Sequence, residues 1–554
     1  MSLSFLNSLK NWQVFLILAA IVFLIYGQAI YFDFSYLDDN VLLIDNYYSI
    51  SHPSNVLEVF KHDVFNSRSG SDYFYRPLLT VSFMVDVLFG AKNTAGPYHF
   101  SNILFHLLAV FLLFIFLQKL NYGKFLSFLA SLFFAVHPAL SQTVSWIPGR
   151  NDSLLAVLIL ASFIFLIDYL KSHKAIKLGW HLIFFLAALF SKETALFALA
   201  VFGAYIVLHR KEIFSDGQIA ISKFLYLFIG WIIGLIFWFF LRGQALGGGV
   251  VNMSMAQAVR SVFNALPAMF LYIGKIVFPF NLSVLPVLQD STLAYGIIAT
   301  LLLAAAIFLN RRSLNWPNII FGSFWFLVFL IPASLQPDQQ IAQLFIEHRL
   351  YLPIIGFIII FLEIYLSVQK DRPSGSRRLW ASLFVLVIIS FSAINFFHNR
   401  VFADRISFWQ NAADNSPHSP LAHRNLGAMY WLDGRADEAG KEYEQALKLN
   451  PNEPMAHNNL GLIYAQKGDF ENAVKEYETE LKIDPYYGNA LYNLGLAYWA
   501  MGKKENAAEK WRETIVVDPD YFNAYRSLIV FYQEGGQKDQ ADKLLSELQR
   551  LGGL

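Results

Sequence analysis

Apolar runs of membrane-spanning length recur from residue 13 to residue 396, and no other feature restricts the fold as strongly, since about twenty such residues in a row read as a bilayer-crossing helix. The runs cover 13–31, 98–118, 125–138, 154–170, 178–190, 194–208, 224–240, 293–309, 319–335, 350–366 and 379–396. Composition agrees with them. Hydrophobic residues make up 56% and charged ones 15%, too little charge for the surface of an ordinary soluble enzyme or a disordered tail. The formal net charge of +1 supplies no field that would recruit nucleic acid, and with 0 Cys there is neither a disulfide framework nor a thiolate metal site.

Loop charge orients the runs. Basic residues gather at Lys119 and Lys124, at Lys171, Lys174 and Lys177, at Arg210, Lys211 and Lys223, at Arg311 and Arg312, and at Lys370, Arg372, Arg377 and Arg378. The positive-inside rule makes these five loops cytoplasmic. Keeping that parity, 262–280 is re-entrant or interfacial, and about eleven helices cross the membrane. The first run reads as a retained anchor, since only Gly27-Gln28-Ala29 resembles a cleavage site. The loop 32–97 and everything after Asn399 then face the external side. The expected fold is all-α, a polytopic helical membrane domain over 1–399, a connector over 400–419 and a soluble helical array over 420–554.

That array is a repeat of period 34, seen in Pro417, Pro451, Pro485 and Pro519 and again in Gly434, Gly468, Gly502 and Gly536. Asn425-Leu426-Gly427, Asn459-Leu460-Gly461 and Asn493-Leu494-Gly495 keep the same register, as do Ala439, Ala473, Ala507 and Ala541. Small residues where two helices cross, aromatics between them and Pro after the second helix make the tetratricopeptide pattern, four repeats of a TPR α-solenoid. Its concave face is a surface for binding a polypeptide, or else the array only rigidifies the domain.

Charge is costly at membrane depth, so charges kept at the external ends of several spans mark candidate chemistry. Asp38 and Asp39 follow the first span among aromatic neighbours. A carboxylate held there takes the proton of an acceptor hydroxyl while a sugar–phosphate bond breaks through an oxocarbenium-like state. The alternatives are a solvated loop corner, a helix cap by Asp39 and Asn40, or a hard-cation site, which leaves room for a divalent cation although no further acidic spacing defines one. Arg76, Arg150, Lys192, Arg242 and Arg349 are candidates to hold a lipid-linked phosphate and stabilise its leaving charge. Each could instead pair locally, Arg150 with Asp152, Lys192 with Glu193, Arg349 with Glu347. His99, His106 and His137 read more readily as packing donors than as bases. No metal-ligand His pair, Gly-rich phosphate loop or Ser/His/Asp arrangement is legible.

Taken in order, Asp38-Asp39, Tyr75-Arg76-Pro77-Leu78, Tyr98-His99-Phe100-Ser101-Asn102, His137-Pro138 with Gly149-Arg150-Asn151-Asp152, Ser191-Lys192-Glu193 and Arg349-Leu350-Tyr351-Leu352-Pro353 resemble the transmembrane and tetratricopeptide-repeat O-mannosyltransferase family. That family stands with the protein O-mannosyltransferases among the GT-C glycosyltransferases, and the likeness covers nearly the whole chain. It implies inverting transfer of a sugar, typically mannose, from a polyprenyl phosphate to a Ser or Thr hydroxyl at the extracytoplasmic face. That face is periplasmic in a bacterial inner membrane and lumenal in an endoplasmic reticulum. The resemblance maps the catalytic acid of the first external loop to Asp38, with Asp39 beside it, and makes His99, His137, Asp152, Glu193, Glu347 and His348 supporting residues. Its implied partners are the lipid-linked donor, membrane lipids and an acceptor protein held by the repeats. Glu347-His348-Arg349 departs from the family's acid-Arg pair by the intervening His, and four repeats make a short array. The rival readings are a non-catalytic repeat scaffold for envelope assembly and, last, a transporter, which needs ionisable residues at mid-span depth, whereas the few seen, Lys275 and Asp168, lie near span ends or in the re-entrant segment.

Overall fold

The computed structural model describes residues 8–65, 74–91, 94–213, 221–247, 254–334, 345–369 and 374–553, and among them every extended regular element is a helix. They form two compact units, Met1–Asn411 and Ala412–Leu554.

In the first unit six helices are long and apolar enough to cross a membrane: Asn11–Tyr31, Gly96–Lys119, Ile147–Ser172, Phe224–Ala245, Trp316–Ala333 and Ser382–Phe402. Each coincides with an expected span. The span expected at 125–138 is the first arm of a pair, Lys124–Val136 and Pro138–Ser145, bent by 60°. Pro138 causes the bend, because it has no N–H to continue the helix and its ring blocks the preceding turn. The remaining four expected spans are shorter apolar helices, Ala175–Ser191, Glu193–Leu208, Ala294–Asn310 and Ile354–Gln369. Residues 262–280 fall on two short helices, Met255–Asn264 and Leu266–Val277.

Close helix approach depends on small residues, since lipid supplies no hydrophobic drive between helices. Gly322 and Gly356 lie face to face, and a Cβ on Gly356 would run into Gly322 O and Phe326 N. Buried polar groups are tied together. Glu363 Oε1 accepts from Tyr122 Oη at 2.6 Å and from Asn318 Nδ2 at 2.6 Å, and Asn318 Oδ1 accepts from His209 at 2.8 Å. Asp168 pairs with Lys119 at 2.5 Å and Lys177 at 3.6 Å, a structural use of the residue considered above for transport.

The second unit contains the four expected helix pairs, Pro420–Leu432 with Ala436–Leu449, Ala456–Gln466 with Phe470–Ile483, Gly488–Ala500 with Lys504–Val517, and Phe522–Glu534 with Lys538–Arg550. The period-34 glycines turn each pair with φ of +77, +78, +77 and +70°, the left-handed region that glycine enters without a Cβ clash. The glycines of the Asn-Leu-Gly triplets do different work. A Cβ on Gly427, Gly461 or Gly495 would strike the ring of Tyr443, Tyr477 or Trp511 on the second helix. In the fourth repeat Ile529 stands where the glycine would be and Leu545 where the ring would be, so the same crossing is filled from the other side.

Candidate active site

The loop that follows the first apolar helix is built around the second of its paired aspartates. Asp39 is 1% exposed, and its Oδ2 accepts from Ser35 N at 2.7 Å and Ser35 Oγ at 2.9 Å. Its carboxylate thus turns back along the chain rather than capping the turn Asn40–Asp45, and the cap expected from sequence is absent. Oδ1 is buried without a hydrogen-bond partner. Burial pushes the Asp39 carboxyl up to about 6; the Ser35 and Tyr36 hydrogen bonds oppose the shift, and Asp38 beside it adds to it.

Asp38 points the other way. Tyr36 and Asp38 both take left-handed backbone, φ +59 and +65°, a conformation that costs a non-glycine residue energy and persists only where its surroundings impose it. Two indoles impose it here. Trp146 Nε1 donates to Leu37 O at 3.0 Å and Trp409 Nε1 donates to Ser35 O at 3.1 Å. Trp409 lies on the helix Arg405–Asn415, inside the stretch expected to be a connector, and Asp33 N donates to Ala403 O at 2.8 Å just before that helix. The Asp38 side chain remains solvent-accessible, yet protein surrounds it on enough sides to raise its carboxyl, with the Arg76 guanidinium pulling it back down.

Four further segments converge on this loop. Arg76 precedes the helix Pro77–Leu88, where Pro77 starts the helix without wasting an N–H. Its guanidinium binds Glu193 at 3.0 Å through both Nε and Nη2, while Tyr75 N donates to the other Glu193 oxygen at 3.1 Å. Lys192, next to Glu193, reaches Asp152 Oδ1 at 2.7 Å and Asn151 Oδ1 at 3.0 Å. His348 Nε2 lies 3.8 Å from Asp152 Oδ2, and its ring packs 5.3 Å from that of Trp146. The turn Glu347–Leu350 is tied to the bent segment 138–149: His348 N donates to Gln142 Oε1 at 3.2 Å and Thr143 Oγ1 donates to His348 O at 3.4 Å. Arg349 Nη1 donates to Ala333 O at 3.3 Å.

The electrostatics bind these groups into one site. Burial holds His348 well below its usual value, and the cations Lys192, Arg349 and Arg76 hold it down further. Burial likewise lowers the Lys192 ammonium, with Asp152 opposing and Arg76 and Arg349 reinforcing the shift. Arg76 links the two parts of the site: it acts on the accessible Asp38 carboxylate and, with Lys192 and Arg349, on His348 beside Asp152. Such an arrangement suits an anionic leaving group beside a base.

Other candidates sit elsewhere. Arg150 is not a phosphate ligand: it is 0% exposed, and its guanidinium meets Asp86 at 2.5 Å, Asn102 Oδ1 at 2.6 Å, Tyr98 O at 2.7 Å, Ser82 Oγ at 3.3 Å and Ser101 Oγ. It is a brace. Asn102 completes it by donating to the carbonyls of Val144, Trp146 and Ile147. A Cβ on Gly149 would meet Gln142 O and Thr143 Cα, so the turn into the Arg150 helix needs glycine there. Arg242 lies over the Trp238 ring, 5.8 Å from its centroid. His137 stays with the fold, bonded to Ile276 O at 3.0 Å and accepting from Ala139 N at 3.2 Å, and His99 is buried against Phe32. Glu347 pairs with Lys275 at 3.1 Å rather than with Arg349, and accepts from Ser283 N. Lys275 is thus a structural partner and not a mid-span transport group. Among the described residues no group of three His, Asp or Glu side chains is arranged to hold a metal ion.

Sequence reasoning passed over Trp146, Trp409 and Asp86, and named Asn102 only as part of a motif, without its bracing role. Trp409 left a signal, a large indole in a stretch otherwise read as polar linker.

A family described as TPR repeat matches residues 429–468 and 461–502, and one described as Tetratricopeptide repeat matches 489–521. The chain is 28% identical over 193 residues to protein O-mannosyl-transferase Tmtc1 of Drosophila melanogaster, a match covering 34% of this chain and 22% of that one. It is 35% identical over 155 residues to protein O-mannosyl-transferase TMTC2 of Homo sapiens, covering 26% of this chain and 18% of that one. With protein O-mannosyl-transferase F38B6.6 of Caenorhabditis elegans it shares 23% identity over 419 residues, 71% of this chain and 57% of that one. The chain thus matches less than a quarter of the length of the first two relatives and little more than half of the third. A crystal structure of MamA is similar over 27% of this chain and 86% of that one, with 23% identity and a TM-score of 0.25.

Proposed function

From this kinship with the transmembrane and tetratricopeptide-repeat O-mannosyltransferases, we propose that the chain is a multi-pass membrane glycosyltransferase that moves mannose from a polyprenyl phosphate to a Ser or Thr hydroxyl of a protein. The observation that carries the reading is the accessible Asp38 carboxylate beside Arg76, a cation that acts together with Lys192 and Arg349 on His348. The acceptor oxygen attacks C1 of the sugar while the bond from C1 to the phosphate oxygen breaks. The electron pair of that bond leaves with the phosphate, whose new charge the three cations stabilise, and the acceptor proton passes to Asp38. One displacement inverts the anomeric centre. Burial raises the Asp38 carboxyl towards the working range of a general base. Loop charge parity supports an external location for both this site and the repeats, and a captured acceptor would then be presented at high effective concentration.

The test is transfer from polyprenyl-phosphoryl mannose to a Ser/Thr-containing polypeptide by the full chain in membranes. Asp38→Asn is expected to lose roughly 10²–10⁴-fold in rate with unchanged expression and folding. Undiminished transfer would remove Asp38 from the role of base.

A further inference from the structure

Two groups at the centre of this site have hydrogen-bonding capacity that nothing uses. Asp152 Oδ2 and His348 Nδ1 are buried without a hydrogen-bond partner, and the side chains are 8% and 10% exposed. A polar atom left so inside a protein is costly unless something else completes it. His348 Nε2 faces Asp152 Oδ2 at 3.8 Å, too far for a hydrogen bond, while Lys192 already bonds the other oxygen of Asp152. The imidazole is fixed from behind by the Trp146 ring and by the two backbone bonds to Gln142 and Thr143. Its rotamer is therefore held while its nitrogens wait.

The charged groups around it come from every neighbouring segment. Asp152 belongs to the helix Arg150–Ser172, Lys192 follows the helix Ala175–Ser191, Arg76 precedes Pro77–Leu88, and Arg349 sits on the same turn. Glu347 is neutralised by Lys275, and Glu193 by Arg76. The balance at the imidazole is thus Arg76, Lys192 and Arg349 against Glu193 and Asp152, a net positive surrounding that, with burial, keeps the ring neutral before the donor binds.

Resting on the glycosyl-transfer reading, we infer that His348 is a ligand of the donor phosphodiester and takes up a proton as that anion binds. An anion placed among Arg76, Lys192 and Arg349 reverses the sign of the field at the ring. The imidazolium then donates through one nitrogen to the phosphate and through the other towards Asp152 Oδ2, so both unpartnered atoms are satisfied at once. The donor binds as an anion plus a proton, and the extra cation is in place before the leaving oxygen develops its charge. His348 is the residue that separates Glu347 from Arg349 in the departure from the family's acid-Arg pair.

The experiment is calorimetric titration of the full chain in nanodiscs with a short-chain prenyl phosphoryl-mannose, repeated in buffers of different ionisation enthalpy. The probe is a diester, so its own phosphate does not titrate near neutrality. Wild type is expected to bind with net uptake of up to one proton, and its affinity to fall as pH rises from about 5 to about 8. Asp39, pushed up to about 6, also titrates in this range and Asp38 is raised by burial, so the share due to His348 is the part lost in His348→Gln, which should bind roughly tenfold more weakly at the acidic end. Binding by wild type without proton uptake, or full uptake retained in H348Q, would overturn this inference and leave the transferase reading standing. No binding by wild type would overturn both. Equal binding and uptake with phosphatidylglycerol would overturn the assignment to a sugar donor in favour of an ordinary lipid headgroup.

Discussion

The repeats and the membrane unit solve the same packing problem by opposite means. In the repeats each close helix crossing is made within some twenty residues of sequence and made again 34 residues later, as with Gly427 under Tyr443, Gly461 under Tyr477 and Gly495 under Trp511. In the membrane unit the decisive contacts occur once and join distant segments: Arg76 with Glu193 across 117 residues, Lys192 with Asp152 across 40. Redundant local contacts let one repeat drift, as Ile529 shows, without loss of the architecture. A site assembled from unique long-range contacts has no such tolerance, because each ion pair leaves a buried charge behind when its partner goes.

Arg150 offers the sharpest way to break that contrast. Replacing it by Met leaves Asp86 buried without its cation and removes the bonds to Asn102 and Tyr98 O, and should cost about 3–5 kcal/mol. The expected readout is a large fall in the melting temperature of the detergent-solubilised chain, and the double variant Asp86→Leu/Arg150→Met should recover much of it. A melting temperature left intact, with donor binding alone impaired, would instead make Arg150 a ligand of the site.

The same contrast explains what could be read in advance. The repeat period was legible because one residue type recurs wherever one contact recurs. The site motifs were legible as residues but not as partners: Arg150 with Asp152, Lys192 with Glu193 and Glu347 with Arg349 are neighbours in sequence, and at Arg150 and Asp152, two apart on one helix, the side chains point away from each other. Their true partners, Asp86, Asp152 and Lys275, depend on which helices meet. The two indoles that hold the Asp38 loop were illegible for the same reason, since a Trp N–H donating to a backbone carbonyl leaves no pattern in the partner's sequence. Each of the eleven runs read from hydropathy falls on a helix, yet lengths differ because Pro138 bends one of them and short turns cut others, and the apolar helix Pro77–Leu88 was not among them.

A smaller effect tests the repeats. Gly461→Val would place methyl groups against the Tyr477 ring and is expected to destabilise the second repeat by about 1–3 kcal/mol. Circular dichroism melting should show it. In the combination Gly461→Ile with Tyr477→Leu, which copies Ile529 and Leu545 of the fourth repeat, part of the loss should return. If the double variant were no better than the single one, local redundancy would not be the source of the tolerance.

The smallest expected effect separates the two units by pH. In the first two repeats His423 and His457 each place Nδ1 2.6 Å from a carboxylate, Glu442 and Glu476, and Nε2 at 3.2 and 3.0 Å from Pro417 O and Pro451 O. Both nitrogens face acceptors, which only the imidazolium satisfies. Burial opposes the charge at His423, but the bonds to Glu442 and Pro417 outweigh it; at His457 the Glu476 bond leads, and both residues end above their usual value. A raised folded value means the stabilisation is complete below the unfolded value near pH 6.5 and is lost as pH climbs through the folded one. The repeats should therefore lose up to about 1 kcal/mol per pair between slightly acidic and alkaline pH, and His423→Gln with His457→Gln should flatten that slope. In the site the sign is opposite, because His348 is held neutral among cations. Charging it without the donor costs energy, so the His348 share, read as the part lost in His348→Gln, should destabilise the membrane unit on acidification below neutrality, against the opposite contribution of the raised Asp39 carboxyl, while acidification strengthens the repeats. Melting followed separately in the two units across that range would show the curves diverging, and parallel curves would mean that neither set of histidines is charged as the contacts require.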